Sequence, residues 1–295
     1  MMIDCSTDKE NRIQSYITYA VAPRPICFAS TINKAGQVNL SPFSYFNVAS
    51  GMPPVLMFSV LRRVRDNTTK HTLENILEVP EVVINIVTYD MVQQTSLSSC
   101  EYPKSINEFE KAGFTMQTAT KVKPPMVQES KIKMECMVID IKSFGEHGGA
   151  GQVIFAEILC MHIDNAILDE QGMIDQTKLP LVARLGGDWY NAIQPDNLFQ
   201  VAKPNRNLGI GVDHLPLNIR NSSILTGNNL GQLANVQTMP TIDPNFNDEK
   251  LKHIFQYYTT NPTEMGKEIQ WYAKELLDDN KINEAWQVLL ASSSI

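Results

Sequence analysis

The feature that most limits what this chain can fold into is a series of short, apolar, β-rich runs with no regular strand–helix alternation across residues 1–190. Residues 26–32 and 54–60 carry β-branched or bulky apolar side chains, and each run is entered from a proline, which suits a strand's first position because it has no N–H to lose. Residues 82–87 follow Pro80, which helps to end a helical pattern over residues 73–78. Residues 132–141 open with Lys131, Lys133 and Glu135 alternating with apolar neighbours, the period of two that marks a strand with one wet face. Residues 151–163 repeat the pattern, and Gly145, Gly148, Gly149 and Gly151 mark the turn between them. A parallel doubly wound sheet needs a helix between successive strands, so the pattern argues for antiparallel strands closed into a barrel, which leaves no exposed edge.

Helices are fewer. Ser105-Ile106-Asn107-Glu108 reads as a capping box opening a short helix that stops at Gly113. Beyond residue 204 the character changes, and we read residues 1–204 as the barrel domain and 205–295 as an ordered, largely helical extension. Residues 209–231 are rich in Gly, Asn and Ser yet contain Leu215, Ile219, Ile224, Leu225 and Leu230, so they are expected to be ordered. Residues 246–258 place Leu251, Ile254, Phe255 and Tyr258 on one helical face. Asn261, Pro262 and Glu264 then supply an N-cap, a proline at N1 and a glutamate at N3 for a helix carrying Met265, Ile269, Tyr272, Ala273, Leu276 and Leu277. A third helix is expected around Ile282, Ala285, Trp286 and Leu289; we read these faces as core packing, and the extension as a cover or an assembly surface.

Composition removes several functions. With 43% hydrophobic and 19% charged residues the chain can bury a full core and a second module. Its formal charge of −7, and the absence of a basic run, argue against a nucleic-acid partner. The longest apolar stretches, such as residues 53–60, are too short to span a bilayer, and Met1-Met2-Ile3-Asp4-Cys5 lacks a charged n-region and an apolar h-region, so a soluble, cytoplasmic protein is expected. The five cysteines show no CxxC, and Cys27, Cys136 and Cys160 read as small core hydrophobes inside strands. The five histidines form no HExxH pair and no zinc-type spacing with cysteine, so no metal ligand is assigned. GxGxxG and P-loop motifs are absent, and no catalytic side chain is assigned.

Two stretches carry candidate chemistry. A flat heteroaromatic ring needs apolar contact on its faces and hydrogen bonds along its edge; Asn39, Ser41 and Ser44, with the backbone held by Pro42, can supply the edge, and Phe43 the contact. The same residues also describe an ordinary barrel hairpin followed by a buried aromatic. In the second stretch Arg62, Arg63, Arg65 and Lys70 stand close to a helix start at Thr72 and to the strand end Phe58-Ser59, as a phosphate site requires, although a solvated charged loop reads the same way.

The order and spacing of these segments resemble the flavin reductase-like FMN-binding family from about Ile17 to Tyr190. The resemblance is carried by Pro23-Arg24-Pro25-Ile26, the Ser30-Thr31 strand end with Gly36, Asn39-Leu40-Ser41-Pro42-Phe43-Ser44, and Pro53-Pro54 leading to Phe58-Ser59. It continues through Lys70-His71-Thr72-Leu73-Glu74-Asn75-Ile76, Asn85, residues 108–115, Glu135-Cys136 and Arg184-Leu185-Gly186-Gly187-Asp188-Trp189-Tyr190. It implies a mainly β fold, a split β-barrel of Greek-key type, generally homodimeric, with FMN as cofactor. On that basis Ser30, Thr31, Asn39, Ser41 and Phe43 are expected along the isoalloxazine and ribityl portions. Ser59, Arg62, Lys70 and Thr72, supported by Asn75, are expected near the phosphate, and Arg184 and Tyr190 near the cofactor or the partner subunit. His71 stands where the family commonly has an aspartate. The activity implied is reduction of FMN by NADH or NADPH and transfer to a small-molecule or protein electron acceptor, the rivals being an FMN electron carrier with little nicotinamide chemistry and a non-catalytic structural or interaction protein of the same fold.

The amphipathic pattern after Asn261 generates a first prediction. A chain truncated before Asn261 should aggregate or change its assembly, because the apolar faces that this helix covers become exposed. Unchanged mass in solution, solubility and flavin affinity would count against the assignment.

Overall fold

The structure, a computed structural model, describes residues 2–5, 12–204 and 207–291. The chain divides into two compact units, Met1–Phe199 and Gln200–Ile295.

The first unit is built on a seven-stranded antiparallel sheet of β1 (Cys27–Ile32), β2 (Val38–Phe43), β3 (Phe46–Gly51), β4 (Pro54–Leu61), β5 (Glu81–Ile86), β6 (Ile132–Ser143) and β7 (Gly151–Ile163), in the order β2-β1-β5-β6-β7-β4-β3. Strands β2 and β3 are the two edges of this order, yet only Ser44 and Tyr45 separate them in the chain. The sheet therefore rolls until its edges meet, and the Ser59 amide, donating to the Tyr45 carbonyl at 2.8 Å, extends the β3–β4 ladder into the corner. Pro42 lies in edge strand β2, where a missing N–H costs no ladder bond.

Core packing follows the period of two. Cys27 and Ala29 of β1 join Phe58, Val82, Ile84, Met134 and Ile154 inside the barrel, while Ile26 and Phe28 face a second cluster with Leu40, Met91, Phe109 and Phe114. The interior strand β1 is thus buried on both faces, which explains why its apolar side chains do not alternate with exposed ones. Helix α1 (Arg12–Ala20) precedes the sheet, α2 (His71–Glu78) connects β4 to β5, and α3 (Val92–Leu97) and α4 (Glu108–Ala112) lie between β5 and β6. The capping-box expectation for α4 is corrected. Asn107 accepts the Phe109 amide at 3.0 Å, Gly113 closes the helix in the left-handed region at φ 71°, and Glu108 reaches away to the Leu40 amide at 3.0 Å.

Glu135 ties a loop to the sheet. Its side chain is fully buried, and it accepts the amides of Thr120 at 2.8 Å, Val122 at 3.1 Å and Lys121, with the His162 ring nitrogen at 2.6 Å. Burial alone would raise its pKa, but these donors outweigh burial and hold the carboxyl at about 2 against an ordinary 4.5.

The second unit contains α5 (Leu217–Arg220), α6 (Gly227–Ala234), α7 (Glu249–Tyr257), α8 (Pro262–Asp278) and α9 (Ile282–Ala291). Asp248 and Asn261 cap α7 and α8 by accepting the Leu251 amide at 2.8 Å and the Glu264 amide at 3.3 Å. Leu233, Ile254, Ile269, Ala273, Leu277 and Trp286 form its core, and the Trp286 indole donates to the Leu233 carbonyl at 3.2 Å. The Gly/Asn-rich stretch hides α6, which Thr226 and Asn229 open with a reciprocal capping box. Of the cysteines read as core, Cys27 and Cys136 are fully buried, whereas Cys160 is only half-buried beside His162. Among the described residues no helix is long and apolar enough to cross a membrane.

Because the folded Glu135 titrates at about 2 and the free carboxyl at 4.5, its contribution is complete above about pH 5 and is lost as pH falls through 2. Glu135→Gln should lower stability near neutrality by about 2–3 kcal/mol, a cost that shrinks toward pH 2. Urea midpoints measured across this range test it; parallel pH profiles for the two proteins would contradict it.

Candidate functional site

The corner that closes the barrel forms the floor of a cavity of about 260 Å³, lined by Pro42, Phe43, Ser44 and Tyr45, by Ser59 and Leu61 of β4, by Lys70, and by Arg24 and Arg184. Gln14 and Thr18 of α1, with Leu185 and Gly187, complete the wall. The Phe43 and Phe58 rings pack at 5.2 Å between centroids and anchor the corner in the core. Gly151 faces Ser59: a Cβ there would lie 2.8 Å from its hydroxyl oxygen, so the glycine keeps that hydroxyl accessible.

Among the described residues no acidic side chain lines this cavity, and two of its three cations, Arg24 and Arg184, are held there by backbone carbonyls. Arg24 and Arg184 are direct partners in a short antiparallel pairing, so two like charges stand opposite one another. Arg24 is buried, donates to the carbonyls of Thr18, Val21 (2.6 Å) and Leu185 (2.8 Å), and keeps a buried Nε without a partner. Burial lowers its pKa, and the Arg184 charge adds to the effect. Arg184 donates to the Gly187 carbonyl and stacks 4.4 Å from the Tyr190 ring centroid. Lys70 sits at the N-cap of α2 with its Nζ 5.5 Å from the Phe43 centroid, and no carboxylate among the described residues pairs with it. Burial, then the Arg63 charge, lowers the Lys70 pKa. Three neighbouring cations with no acid among the described lining residues form a surface that an anion would complement.

Two further cavities share these walls. One of about 390 Å³ adds Ile17, Val21, Pro23, Phe46, Met57, Phe58 and Val153, and is largely apolar; the other, of about 180 Å³, adds Thr95, Ser96, Ser99 and Tyr190. Shared lining at Arg24, Ser44, Tyr45 and Ser59 on one side, and at Pro42, Phe43, Ser44 and Arg184 on the other, makes one groove with a cationic middle. This arrangement fits a ligand with an anionic tail and a planar aromatic body.

Of the residues singled out from the sequence, the structure brings Pro42, Phe43, Ser44, Ser59, Lys70 and Arg184 together on the groove. Thr31, Asn39, Thr72 and Asn75 lie behind it as a buried tie. Asn39 donates to the Thr72 hydroxyl at 3.0 Å and Asn75 to the Thr31 hydroxyl at 3.2 Å, fixing α2, and hence Lys70, to β1 and β2. Ser30 is fully buried with an unpartnered hydroxyl, and Ser41 is half-buried opposite Ala29. Arg62 is spent on its own loop, donating to the Asn67 side chain at 2.8 Å and carbonyl at 2.6 Å, where Asn67 adopts a φ of 56°. Arg24 and Tyr45 are lining residues that the sequence reading did not select; the only signal was an arginine held between Pro23 and Pro25.

The flavin reductase like domain family matches residues 19–179, more than half of the chain, and the chain belongs to that family. A protein of Aquifex aeolicus described only as uncharacterised is 41% identical over 171 residues, spanning 58% of this chain and 84% of that protein. Among solved structures, nitrilotriacetate monooxygenase component B from Bacillus cereus is 26% identical with a TM-score of 0.63, covering 68% of this chain and 98% of that one. The 2-nitrobenzoate 2-nitroreductase of Pseudomonas fluorescens is 26% identical with a TM-score of 0.61, covering 69% and 96%.

Removing the unpaired cation at the centre of the groove tests the site. Lys70→Ala should weaken FMN binding about 10–100-fold at low salt, less at high salt, while the melting temperature of the ligand-free protein barely moves. Unchanged affinity in a low-salt titration would remove Lys70 from the site.

Proposed function

We propose that this chain is an FMN-dependent oxidoreductase that accepts hydride from NADH or NADPH and reduces a small-molecule or protein acceptor. Flavin-dependent oxidoreduction is the chemistry its family membership supports. The observation that carries the finer reading is the cavity of Arg24, Lys70 and Arg184, with no acid among its described lining residues, continuous with an apolar compartment.

When bound, FMN supplies the redox chemistry through its conjugated ring, so the protein needs no acid–base pair of its own. In this reading Lys70, Ser59 and the arginines hold the phosphate, and their separate backbone anchors fix its position. Phe43, Pro42 and Tyr45 flank the ring system, and the apolar side chains of the adjoining compartment exclude water from it. The Ser44 region offers backbone and hydroxyl groups to the ring edge. A neighbour named as a monooxygenase component is compatible with a protein acceptor, and one named as a nitroreductase with a small one. We propose a homodimer on one further ground: α1 buries none of its side chains and exposes Tyr16, Ile17 and Tyr19, of which Ile17 lines the groove.

The purified protein should bind one FMN per chain and run as a particle of twice 33.1 kDa. Under anaerobic conditions NADH or NADPH should bleach its visible flavin band within a turnover time. Bleaching by dithionite alone would make it a carrier. A colourless protein that neither gains a band nor melts higher with FMN would refute the reading.

A further inference from the structure

A second polar cluster occupies the sheet away from this groove. A register shift between Ile158 and Cys160 re-aims β7 so that Cys160 stands directly opposite Glu135 of β6, and the period of two places His162 on the same face. The His162 Nε2 lies 2.6 Å from Glu135 Oε1 and 3.8 Å from Cys160 Sγ. One donor atom from each of the three residues falls within 4.8 Å of the other two. A thiol sulfur, an imidazole nitrogen and a carboxylate oxygen form the mixed donor set that zinc-class cations accept; magnesium and calcium, which take oxygen ligands, do not fit it.

We propose that Glu135, Cys160 and His162 bind a thiophilic divalent cation of the zinc class, with water as the fourth ligand. Tetrahedral bonds of about 2.1 Å to nitrogen and oxygen and about 2.3 Å to sulfur set N···S near 3.6 Å and N···O near 3.4 Å. The existing sulfur contact of 3.8 Å is close to the first value. The His162–Glu135 contact must open by under about 1 Å. His162 has room to swing outward, because its side chain is 33% exposed, while Glu135 stays fixed by three backbone amides. Cys160 releases its thiol proton to solvent on binding, and His162 gives up the Nε2 proton that it donates to Glu135, to solvent or by exchange to Nδ1, so that a neutral ring with its proton on Nδ1 turns the Nε2 lone pair to the cation. One carboxylate and one thiolate then neutralise the two positive charges. A Glu–His hydrogen bond serving only to lock the loop at residues 120–122 would have no use for the cysteine. None of the three lines the groove, so the site stands whether or not FMN binds there.

The test uses the full-length protein with Co²⁺ as the spectroscopic probe for zinc. Wild-type protein should develop ligand-field bands at the red end of the visible spectrum, beyond flavin absorption, together with thiolate-to-cobalt charge transfer. These bands should saturate at one cation per chain and be displaced by Zn²⁺, which should also raise the melting temperature. Cys160→Ser should lower affinity about 100-fold or more, and His162→Gln should do the same. The exposed thiols are the control: Cys5→Ser combined with Cys100→Ser should leave the bands intact. Should His162→Gln fail to fold, Cys160→Ser decides alone, since the contacts of its sulfur are with the other two members of the site, His162 at 3.8 Å and Glu135. Absence of a thiolate band, its survival in Cys160→Ser, or its loss with Cys5 and Cys100 would overturn the proposal.

Discussion

Between Phe43 and Phe46 the chain passes from one edge of a seven-stranded sheet to the other through two residues, and this can happen only when the edges have been rolled together. That closure carries the rest of the first unit. It presses Phe43 of one edge strand against Phe58 in the core, beside the corner where the Ser59 amide holds the Tyr45 carbonyl. It also leaves Pro42, Ser44 and Tyr45 as the floor of a groove, where strand geometry rather than a flexible loop sets their positions. The buried bonds from Asn39 and Asn75 to Thr72 and Thr31 then hold α2, and with it Lys70, above this floor.

Electrostatics separates the groove from an ordinary crevice. Arg62 and Arg63 are satisfied within their loop, Arg63 also pairing with Glu101 at 3.3 Å, so their charges belong to local structure. Lys70, Arg24 and Arg184 instead face one cavity with no acid among the described residues of its wall. Burial costs each of them hydration, and proximity adds repulsion, so this arrangement is unfavourable until an anion arrives. His71 belongs to the same pattern. An aspartate at that position would bring a carboxylate beside Lys70, whereas the histidine's pKa is lowered, chiefly by burial, which favours its neutral form and leaves the lysine charge unopposed.

Much of the barrel was legible because its strands announce themselves locally: Gly151–Ile163 is bounded as its alternation implies, and Pro54–Leu61 begins at its proline. The corner strands Val38–Phe43 and Phe46–Gly51 were harder to read, since Asn, Ser and Pro interrupt their apolar pattern. Glu108 illustrates a different obstacle. Its position suggested a capping partner for Ser105, yet a long-range bond to the Leu40 amide claims it, which no local spacing reports. Similarly, Thr31, Asn39, Thr72 and Asn75 have the polar character of ligand contacts and also hydrogen-bond to one another, a pairing that no local spacing reports. Arg24 escaped selection because its importance arises from Arg184, far along the chain. Cys160 and His162 looked unrelated to Glu135 until the strand bulge brought them together.

The central claim is that the cationic cavity grips a phosphate, and comparing FMN with riboflavin in the same equilibrium titration tests it most directly, because the two differ only in that group. At low salt FMN should bind about 100-fold or more tightly than riboflavin, as two or more charge-assisted hydrogen bonds imply, and the gap should narrow as salt is added. Equal affinities for the two flavins, at any salt concentration, would contradict the account.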